Sequence, residues 1–387
     1  KELHIVLLDN GRRQMAGDPV FSQAMRCVRC GSCLNVCPVY QLVGQVFGHI
    51  YTGGIGSILT AFLNAFELAD DPQSLCINCG ACAQFCPAKI DIPGLIIELR
   101  ERLVARRGLP LGQKAILQGI LANRRLFHGL LRAASVVQKP VTRGAPFIRH
   151  LPLIFAGAAE FRSLPAIAEV PLRGRIAARA STQTATAGCA AGPGAAPAVG
   201  LPGRRPRAAF YAGCLIDFAY PEIGEAVVRV LEDEGFEVVF PEGQTCCGAP
   251  ALFSGDRDTA RKMVRQNVEA LSASGADHII TACPTCAHAL MRDFPRLCQG
   301  EDIWYAQALD LSRKVRDFSQ FVYGLRSGKK AACPAGGHYV PACGQSACGR
   351  LRLTYHDSCH FKRKLGGGPE PRALLAELPG LDLVEMN

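Results

Sequence analysis

Two runs of four cysteines constrain this chain more than any other feature of its sequence. The first run is "CVRCGSCLNVCP", from Cys27 to Pro38, and the second is "CINCGACAQFCP", from Cys76 to Pro87. Both follow the pattern C-x2-C-x2-C-x3-C-P, so each run places four thiols within eleven residues. The chain must therefore fold in a way that gives each run a site needing several thiolates close together.

Length and composition show what kind of site this is. The 387 residues are enough for two or three domains, and the 49 % hydrophobic content is ample for buried cores. Nineteen cysteines would suit a disulfide framework in a short secreted chain, but this chain is long, lacks a signal-peptide pattern and clusters its cysteines. We therefore expect a reducing, cytoplasmic location with thiolates as metal ligands. No apolar run approaches the roughly eighteen residues of a membrane span.

The four-cysteine runs have the spacing of iron–sulfur ligands. Three thiolates of each run can curl around one inorganic core, while the fourth points away past the proline, so that two runs exchange their fourth ligands. This is the bacterial ferredoxin pattern for two [4Fe–4S] clusters. Gly31 and Gly80 would let the backbone approach the sulfides closely. The alternative is zinc, although zinc ribbons pair two C-x2-C knuckles and have no use for a third thiol. The predicted ligands are Cys27, Cys30, Cys33 and Cys86 for the first cluster and Cys76, Cys79, Cys82 and Cys37 for the second.

The second half of the chain has a different pattern. From Arg207 onward, strand-like and helical segments alternate, which indicates a mostly parallel sheet. Cysteines follow the predicted strands, at the edge where open α/β sheets gather their ligands. One helix, "PEIGEAVVRVLEDEG", is expected to end at Gly235. Its apolar spacing predicts an inward face made of Ile223, Val227, Val230 and Leu231.

Five cysteines are expected to converge at that sheet edge. Adjacent cysteines in a regular strand would point to opposite faces, so Cys246 and Cys247 must lie in a turn, which Gly248 supplies. A multi-iron cluster can use all five thiols. Zinc, or a cubane with a spare thiol, is the alternative. Cys359 ends a similar strand, "LTYHDSC", and marks a second copy with a further candidate site. The five predicted ligands are Cys214, Cys246, Cys247, Cys283 and Cys286.

These motifs resemble known families. The spacing C-x31-CC-x35-C-x2-C resembles the CCG domain of heterodisulfide reductases and related oxidoreductases, in which five cysteines hold a non-cubane [4Fe–4S] cluster. The segments "RCVRCGSCLNVCPVYQLVG" and "GHIYTGGIGSILT" resemble the iron–sulfur half of lactate utilization protein B, and "FYAGCLIDFAYPEIGEAVVRVLE" with "FPEGQTCCGAP" resembles lactate utilization protein A. The resemblance implies an iron–sulfur protein that passes electrons from L-lactate to an acceptor such as a quinone.

The expected architecture is α+β and multidomain, with a helical dicluster ferredoxin domain followed by an α/β CCG domain with a mostly parallel sheet. The resemblance implies an oxidoreductase that is active only with other lactate-oxidising subunits or domains as partners. The competing functions are an iron–sulfur subunit of a glycolate oxidase or heterodisulfide reductase-like enzyme, and a zinc-stabilised interaction scaffold. The predicted domains are a dicluster domain at 1–110, a basic helical region at 111–180, an Ala/Gly/Pro linker at 181–206, a first CCG domain at 207–300, a connecting segment at 301–353 and the start of a second, truncated CCG domain at 354–387.

The charge is unevenly distributed along the chain. Residues 1–205 carry 23 Lys and Arg against 11 Asp and Glu, within a net charge of +10. Basic and apolar residues between Arg100 and Arg179 have roughly helical spacing, which is compatible with a peripheral contact with the inner face of the membrane or with an acidic partner. A solvated helix face is the alternative. No nucleic-acid-binding motif accompanies the charge, so nucleic acid is not an expected partner. Four further cysteines fit no ligand pattern: Cys189, Cys333, Cys343 and Cys348.

Overall fold

The computed structural model describes residues 2–142, 144–148, 163–186, 204–327 and 351–386. Two compact units divide the chain. The first comprises residues 1–117, 249–260 and 358–366, and the second comprises residues 118–248, 261–357 and 367–387. Cys189, Cys333, Cys343 and Cys348 lie outside the described residues.

The first unit is helical around one apolar core. Its longest helix, Ile92–Arg107, begins where Asp91 accepts a hydrogen bond from the Gly94 backbone N–H, and it ends at Gly108. Fully buried apolar side chains such as Ile58 and Leu99 form the centre of the core. The helices are Arg12–Gly17, Phe21–Arg26, Ser32–Asn35, Pro38–Val43, Gly44–Val46, Gly53–Leu63, Glu67–Ala69, Asp70–Ser74, Ala81–Gln84, Ile92–Arg107, Leu111–Lys114, Ala249–Phe253 and His360–Lys364.

The second unit combines helices with short strands. The strands are β1 Phe147–Ile148, β2 Leu164–Pro165, β3 Arg207–Phe210, β4 Glu237–Val239, β5 His278–Thr281, β6 Val315–Asp317, β7 Leu351–Leu353 and β8 Leu381–Leu383. The helices are Arg124–Val137, Lys139–Thr142, Leu172–Thr186, Gly213–Phe218, Pro221–Asp233, Pro284–His288, Ala289–Asp293, Phe294–Leu297, Asp302–Lys314, Phe318–Ser327 and Glu370–Ala376. Two more helices, Ala115–Leu121 and Arg257–Ser272, begin in residues of the first unit and end in residues of the second.

A four-stranded parallel sheet is the centre of this unit. Its strand order is β4-β3-β5-β6, so the carboxyl ends of all four strands meet at one edge. A second parallel pair, β7 with β8, repeats the pairing of β3 with β4: Arg207 pairs with Glu237, and Leu351 pairs with Leu381. Both pairs join residues 30 positions apart. The structure therefore confirms the predicted fold class, a helical dicluster region followed by an α/β region with a parallel sheet.

The inward face of the helix Pro221–Asp233 differs from the prediction. Val227 and Leu231 are buried as expected, but Ile223 is 45 % exposed, and Gly224 and Val228 are buried in its place. Gly224 can be buried because Leu172 packs over it, within 2.3 Å of where a Cβ would lie. In the part of the chain that the structure describes, no helix is long and apolar enough to cross a bilayer.

Candidate metal centres

The two four-cysteine runs adopt the same local conformation. Gly31 and Gly80 have φ values of 78° and 84°, in the left-handed region that favours glycine. Each glycine precedes a one-turn helix, Ser32–Asn35 in the first run and Ala81–Gln84 in the second. The sequence repeat is therefore also a structural repeat, in which these glycines set the direction of the turn between the second and third cysteines.

The first set of thiols surrounds a cavity of about 180 Å³. Cys27, Cys30 and Cys33 from the first run line it together with Cys86 from the second run. Burial, followed by the charges of these neighbouring thiols, raises the pKa of Cys33 to about 11. The Cys86 sulfur also accepts a hydrogen bond from the Ile90 backbone N–H at 3.5 Å. The structure thus brings together the four residues that the crossed-ligand prediction groups.

The second set converges in the same way. Burial raises the pKa of Cys82, with further contributions from the charges of Cys76, Cys79 and Cys37. Cys37 caps the helix Pro38–Val43, and its sulfur accepts a hydrogen bond from the backbone N–H of Tyr40 at 3.4 Å. The cavity here is smaller, about 20 Å³. Each set offers four thiols, the donor chemistry of a [4Fe–4S] cluster, so the residues present fit that group.

Arg100 lies beside the second set. Its guanidinium donates a 2.7 Å hydrogen bond to the backbone carbonyl of Cys76, and its side chain is buried. Burial raises the pKa of Cys76, and the charge of Arg100 partly opposes that effect. The basic region between Arg100 and Arg179 was predicted to face an anionic surface. For Arg100 this prediction is wrong, because the side chain packs inside the first unit.

The five thiols of the CCG region form a continuous group in the second unit. Cys214 neighbours Cys246, Cys246 neighbours Cys247, and Cys247 neighbours Cys286, which also contacts Cys283. Contact with these neighbours, together with burial, raises the pKa values of Cys214 and Cys286. Cys283 is the exception, since a hydrogen bond from Cys286 lowers its pKa to about 6. The five thiols follow strands β3, β4 and β5 along the chain.

Three buried side chains hold the loop that carries the adjacent pair. Tyr211 donates a 2.6 Å hydrogen bond to the Thr245 carbonyl. Asn267 accepts from the Thr245 backbone N–H and donates to the Cys246 carbonyl, both at 2.9 Å. Gln244 bridges the backbone at Phe210 and Ala212. These polar residues went unpredicted, because each looks like an ordinary helix or loop residue in the sequence.

Two glycines shape the same site. Gly248 has a φ of 82° directly after the adjacent pair, as the predicted turn requires. Gly213, which was not predicted, has a φ of 65°, and a Cβ there would lie 3.0 Å from the Cys286 sulfur. The backbone before Cys214 can therefore approach Cys286 only if residue 213 has no side chain. The "AGC" tripeptide was the sequence signal for this constraint.

Cys359 belongs to the first unit, whereas the five thiols belong to the second. Residues 358–366 belong to the first unit, and Cys359 directly precedes the helical turn His360–Lys364. Among the described residues, no group of three or more His, Cys, Asp or Glu side chains is arranged to hold a single metal ion. Cys359 therefore remains a predicted ligand of a second CCG site.

Comparisons with known proteins agree with this arrangement. The family described as "4Fe-4S dicluster domain" matches residues 23–90, and the family described as "Cysteine-rich domain" matches residues 208–291 and 353–387. The second family thus covers all five cysteines of the CCG region in its first match, and β8 with the last residue of β7 in its second. No solved structure matches the chain.

Several curated proteins are similar to this chain. A fumarate reductase (CoM/CoB) subunit of Methanothermobacter marburgensis is 37 % identical over 47 % of this chain, which spans 31 % of that protein. The probable glycolate oxidase iron-sulfur subunit of Bacillus subtilis is 26 % identical over 94 % of this chain and 77 % of its own length. Lactate utilization protein A of Geobacillus kaustophilus is 36 % identical over 46 % of this chain and 68 % of its own length. The chain is an iron–sulfur protein with a dicluster domain and a cysteine-rich domain, and it belongs to the lactate utilization protein A family.

Proposed function

We propose that this chain is the electron-transfer subunit of an L-lactate-oxidising complex and passes electrons from lactate to an acceptor such as a quinone. The observation that carries this proposal is the crossed grouping of eight thiols into two sets of four. Cys27, Cys30, Cys33 and Cys86 would hold one [4Fe–4S] cluster, and Cys76, Cys79, Cys82 and Cys37 the other. A cluster of this kind supplies one-electron transfer without bond rearrangement.

The five thiols of the second unit would hold a third iron–sulfur cluster, and a non-cubane [4Fe–4S] cluster would use all of them. Support comes from the continuous contacts among Cys214, Cys246, Cys247, Cys283 and Cys286. Tyr211 and Asn267 hold the Cys246–Cys247 loop in place through hydrogen bonds to the Thr245 and Cys246 carbonyls. Substrate oxidation itself would take place at this site or on a partner subunit.

The substrate is best tested on the native assembly. The tagged full-length protein is isolated without oxygen, together with the subunits that copurify, and its cluster signals are recorded by EPR after addition of L-lactate, glycolate or a disulfide. Reduction by L-lactate at a lower concentration than by glycolate supports the proposal. A colourless preparation with stoichiometric zinc would instead favour the interaction scaffold.

A second candidate function has its own support. The alignment with the glycolate oxidase iron-sulfur subunit extends over 94 % of this chain, more than the alignment with lactate utilization protein A. Under this alternative, glycolate would reduce the clusters and L-lactate would not. The resemblance of the five-cysteine spacing to heterodisulfide reductases raises a third outcome, in which a disulfide oxidises prereduced clusters and neither hydroxy acid reacts.

We further propose that the helix Arg124–Val137 docks on an anionic membrane surface. Its buried side is formed by polar His128 and Ser135, whereas Leu126 and Leu130 are 44 % and 43 % exposed. Val136 and Val137 are more exposed still. An ordinary surface helix buries its apolar side chains, whereas this helix leaves these four exposed and keeps Phe127, Leu131 and Ala134 only half-buried. Arg125 and Arg132 are exposed beside the apolar positions, a combination typical of interfacial helices.

Vesicle flotation tests this contact. The full chain should float with vesicles containing phosphatidylserine and lose that binding in high salt, since the Debye length falls to about 3 Å at 1 M. The double substitution Leu126→Ser and Leu130→Ser should abolish it. The matched control is Ile303→Ser, which removes an exposed apolar side chain from another helix of the same unit. Salt-independent binding, or equal loss in the control, would contradict membrane docking and leave an acidic protein partner to be tested.

A further inference from the structure

Arg100 is a buried cation held entirely by neutral groups. Its Nε donates to Gln73 Oε1 at 2.7 Å, and its Nη1 donates to the Phe253 carbonyl at 2.8 Å. Its Nη2 donates to the carbonyls of Gln73, Ser74 and Cys76, at 2.6, 3.4 and 2.7 Å. The side chain is only 9 % exposed. The hydrogen-bonding capacity of the guanidinium is therefore satisfied, but its charge is not neutralised by these partners.

Among the described residues, no carboxylate pairs with this charge. On the same helix, Arg102 pairs with Asp18 and Glu98, and Arg107 pairs with Asp70. Across the described part of the chain, none of the ion pairs includes Arg100. A buried charge without a counter-charge is strongly unfavourable. The site beside it, made of the Cys76 thiol and its three partners, is where a negative charge would reside in the loaded protein.

The cation next to the first set of thiols, Arg29, is exposed to solvent, unlike Arg100. Arg29 occupies the position in the first run that Asn78 occupies in the second, and both have positive φ values. The Arg29 side chain is exposed and lies over the Tyr51 ring at 4.7 Å. An effective dielectric constant of about 20 at a buried site, against about 80 in water, makes the buried charge about four times more effective at equal distance.

We propose that Arg100 is the fixed counter-charge of the second cluster and raises its reduction potential, so that an electron shared by the two clusters favours the second. This inference rests on the proposed function, in which the thiol sets hold clusters. Reduction adds one electron, taken from the hydroxy acid that the complex oxidises, and makes the cluster more negative by one charge without breaking a bond. A fixed positive charge stabilises that reduced state. Burial of the second set alone would do the opposite.

The test is a potentiometric titration of the reconstituted full chain, followed by EPR. In Arg100→Gln, we expect the midpoint of the second cluster to fall enough to change the electron distribution between the clusters at least about tenfold, which is about 59 mV for one electron. The midpoint potential of the first cluster should stay at its wild-type value. Arg100→Lys keeps the charge and should restore most of the potential. The second midpoint is identified as the one that Cys79→Ser removes.

Arg106→Gln is the matched control. It removes the same charge from the same helix, but Arg106 is exposed over the Phe66 ring. Both midpoints should stay at their wild-type values. If Arg100→Gln also leaves both midpoints unchanged, or if Arg106→Gln shifts the second one equally, Arg100 has a structural role only and the inference is wrong.

A second neutral variant provides the test if Arg100→Gln does not fold. Arg100→Met keeps an unbranched side chain, and it should show the same lowered midpoint if Arg100→Gln does not assemble. If both neutral variants lose only the second cluster while Arg100→Lys keeps it, the charge is needed at that site. Loss of both clusters in all three variants would overturn the inference. Failure of the proposed function is distinct, because the wild-type protein would then show no iron–sulfur signals at all.

Discussion

The two units of this chain build thiol sites in different ways. In the first unit, three of the four thiols in each set come from one run of seven residues, and left-handed Gly31 and Gly80 shape both runs alike. In the second unit, the thiols follow three strands, on loops and on the short helices Gly213–Phe218 and Pro284–His288, and buried Tyr211, Gln244 and Asn267 hold the surrounding backbone in place. The first kind of site depends mainly on local spacing. The second depends on tertiary contacts that also have to form.

The largest effect is expected from a substitution that disrupts only the five-thiol site of the second unit. Cys247→Ser removes one thiol from the middle of the contact series and should abolish the EPR signal of the CCG site and substrate-driven electron transfer. Both signals of the dicluster region should persist, since their ligands lie in the other unit.

The control for this substitution is Cys298→Ala, which removes a buried thiol that is not part of the series. Full substrate-driven electron transfer in Cys247→Ser would show that the adjacent pair is structural.

A substitution in the first unit tests the crossed grouping. Cys37→Ser should damage the cluster held by Cys76, Cys79 and Cys82 more than the cluster held by its own run, because its thiol lies with that set. Iron content and EPR of the reconstituted protein would measure the difference. Selective loss of the other cluster would refute the exchange of ligands.

Asn267 tests how much the five-thiol site depends on tertiary contacts, because it holds the backbone of that site without being a ligand. Asn267→Leu would leave the Thr245 N–H and the Cys246 carbonyl unpaired in a buried place, lowering the free energy of unfolding by about 2 to 4 kcal/mol. The CCG site should also retain its metal about 10- to 100-fold less tightly. Chemical denaturation and iron release under a chelator would measure the two effects. Unchanged iron release would mean that the loop holds its shape without Asn267.

The smallest effect concerns the close approach at Gly213. Gly213→Ala places a Cβ 3.0 Å from the Cys286 sulfur in a left-handed backbone, so we expect a loss of about 2 to 3 kcal/mol in unfolding free energy. Gly235→Ala is the matched control, with a φ of 93° and nothing within 4 Å of its Cβ. It should cost about 1 kcal/mol. Equal losses would show that the contact with Cys286 is easily relieved.

The same contrast explains what the sequence could predict. Spacing within each cysteine run was enough to group three of its thiols in advance, because one-turn helices and glycine turns are local. The exchange of Cys37 and Cys86 between the runs is not local and followed from the ferredoxin pattern. The assignment of those thiols as cluster ligands stays a prediction. Arg100 was misjudged because one of its partners, Phe253, is 153 positions away along the chain. No periodicity within the basic region could show that contact.

The helix Pro221–Asp233 shows a subtler limit. Apolar spacing correctly located Val227 and Leu231 in the core, but it chose Ile223 over Gly224 for the preceding turn. Glycine carries no hydrophobic signal, yet here it is buried because Leu172 needs the space. A glycine that is buried because it has no side chain cannot be predicted from a pattern of apolar side chains.

The parallel sheet order β4-β3-β5-β6 has a consequence for the timing of assembly. Thiols after β3, β4 and β5 come together only once non-local strand pairing is complete, and such pairing is slow compared with the formation of a helical turn. The five-thiol site therefore forms late during folding, whereas the three thiols of each ferredoxin-type run are near one another from the start. We therefore expect the three neighbouring thiols of each run to be available to iron earlier in folding than the five thiols of the CCG site.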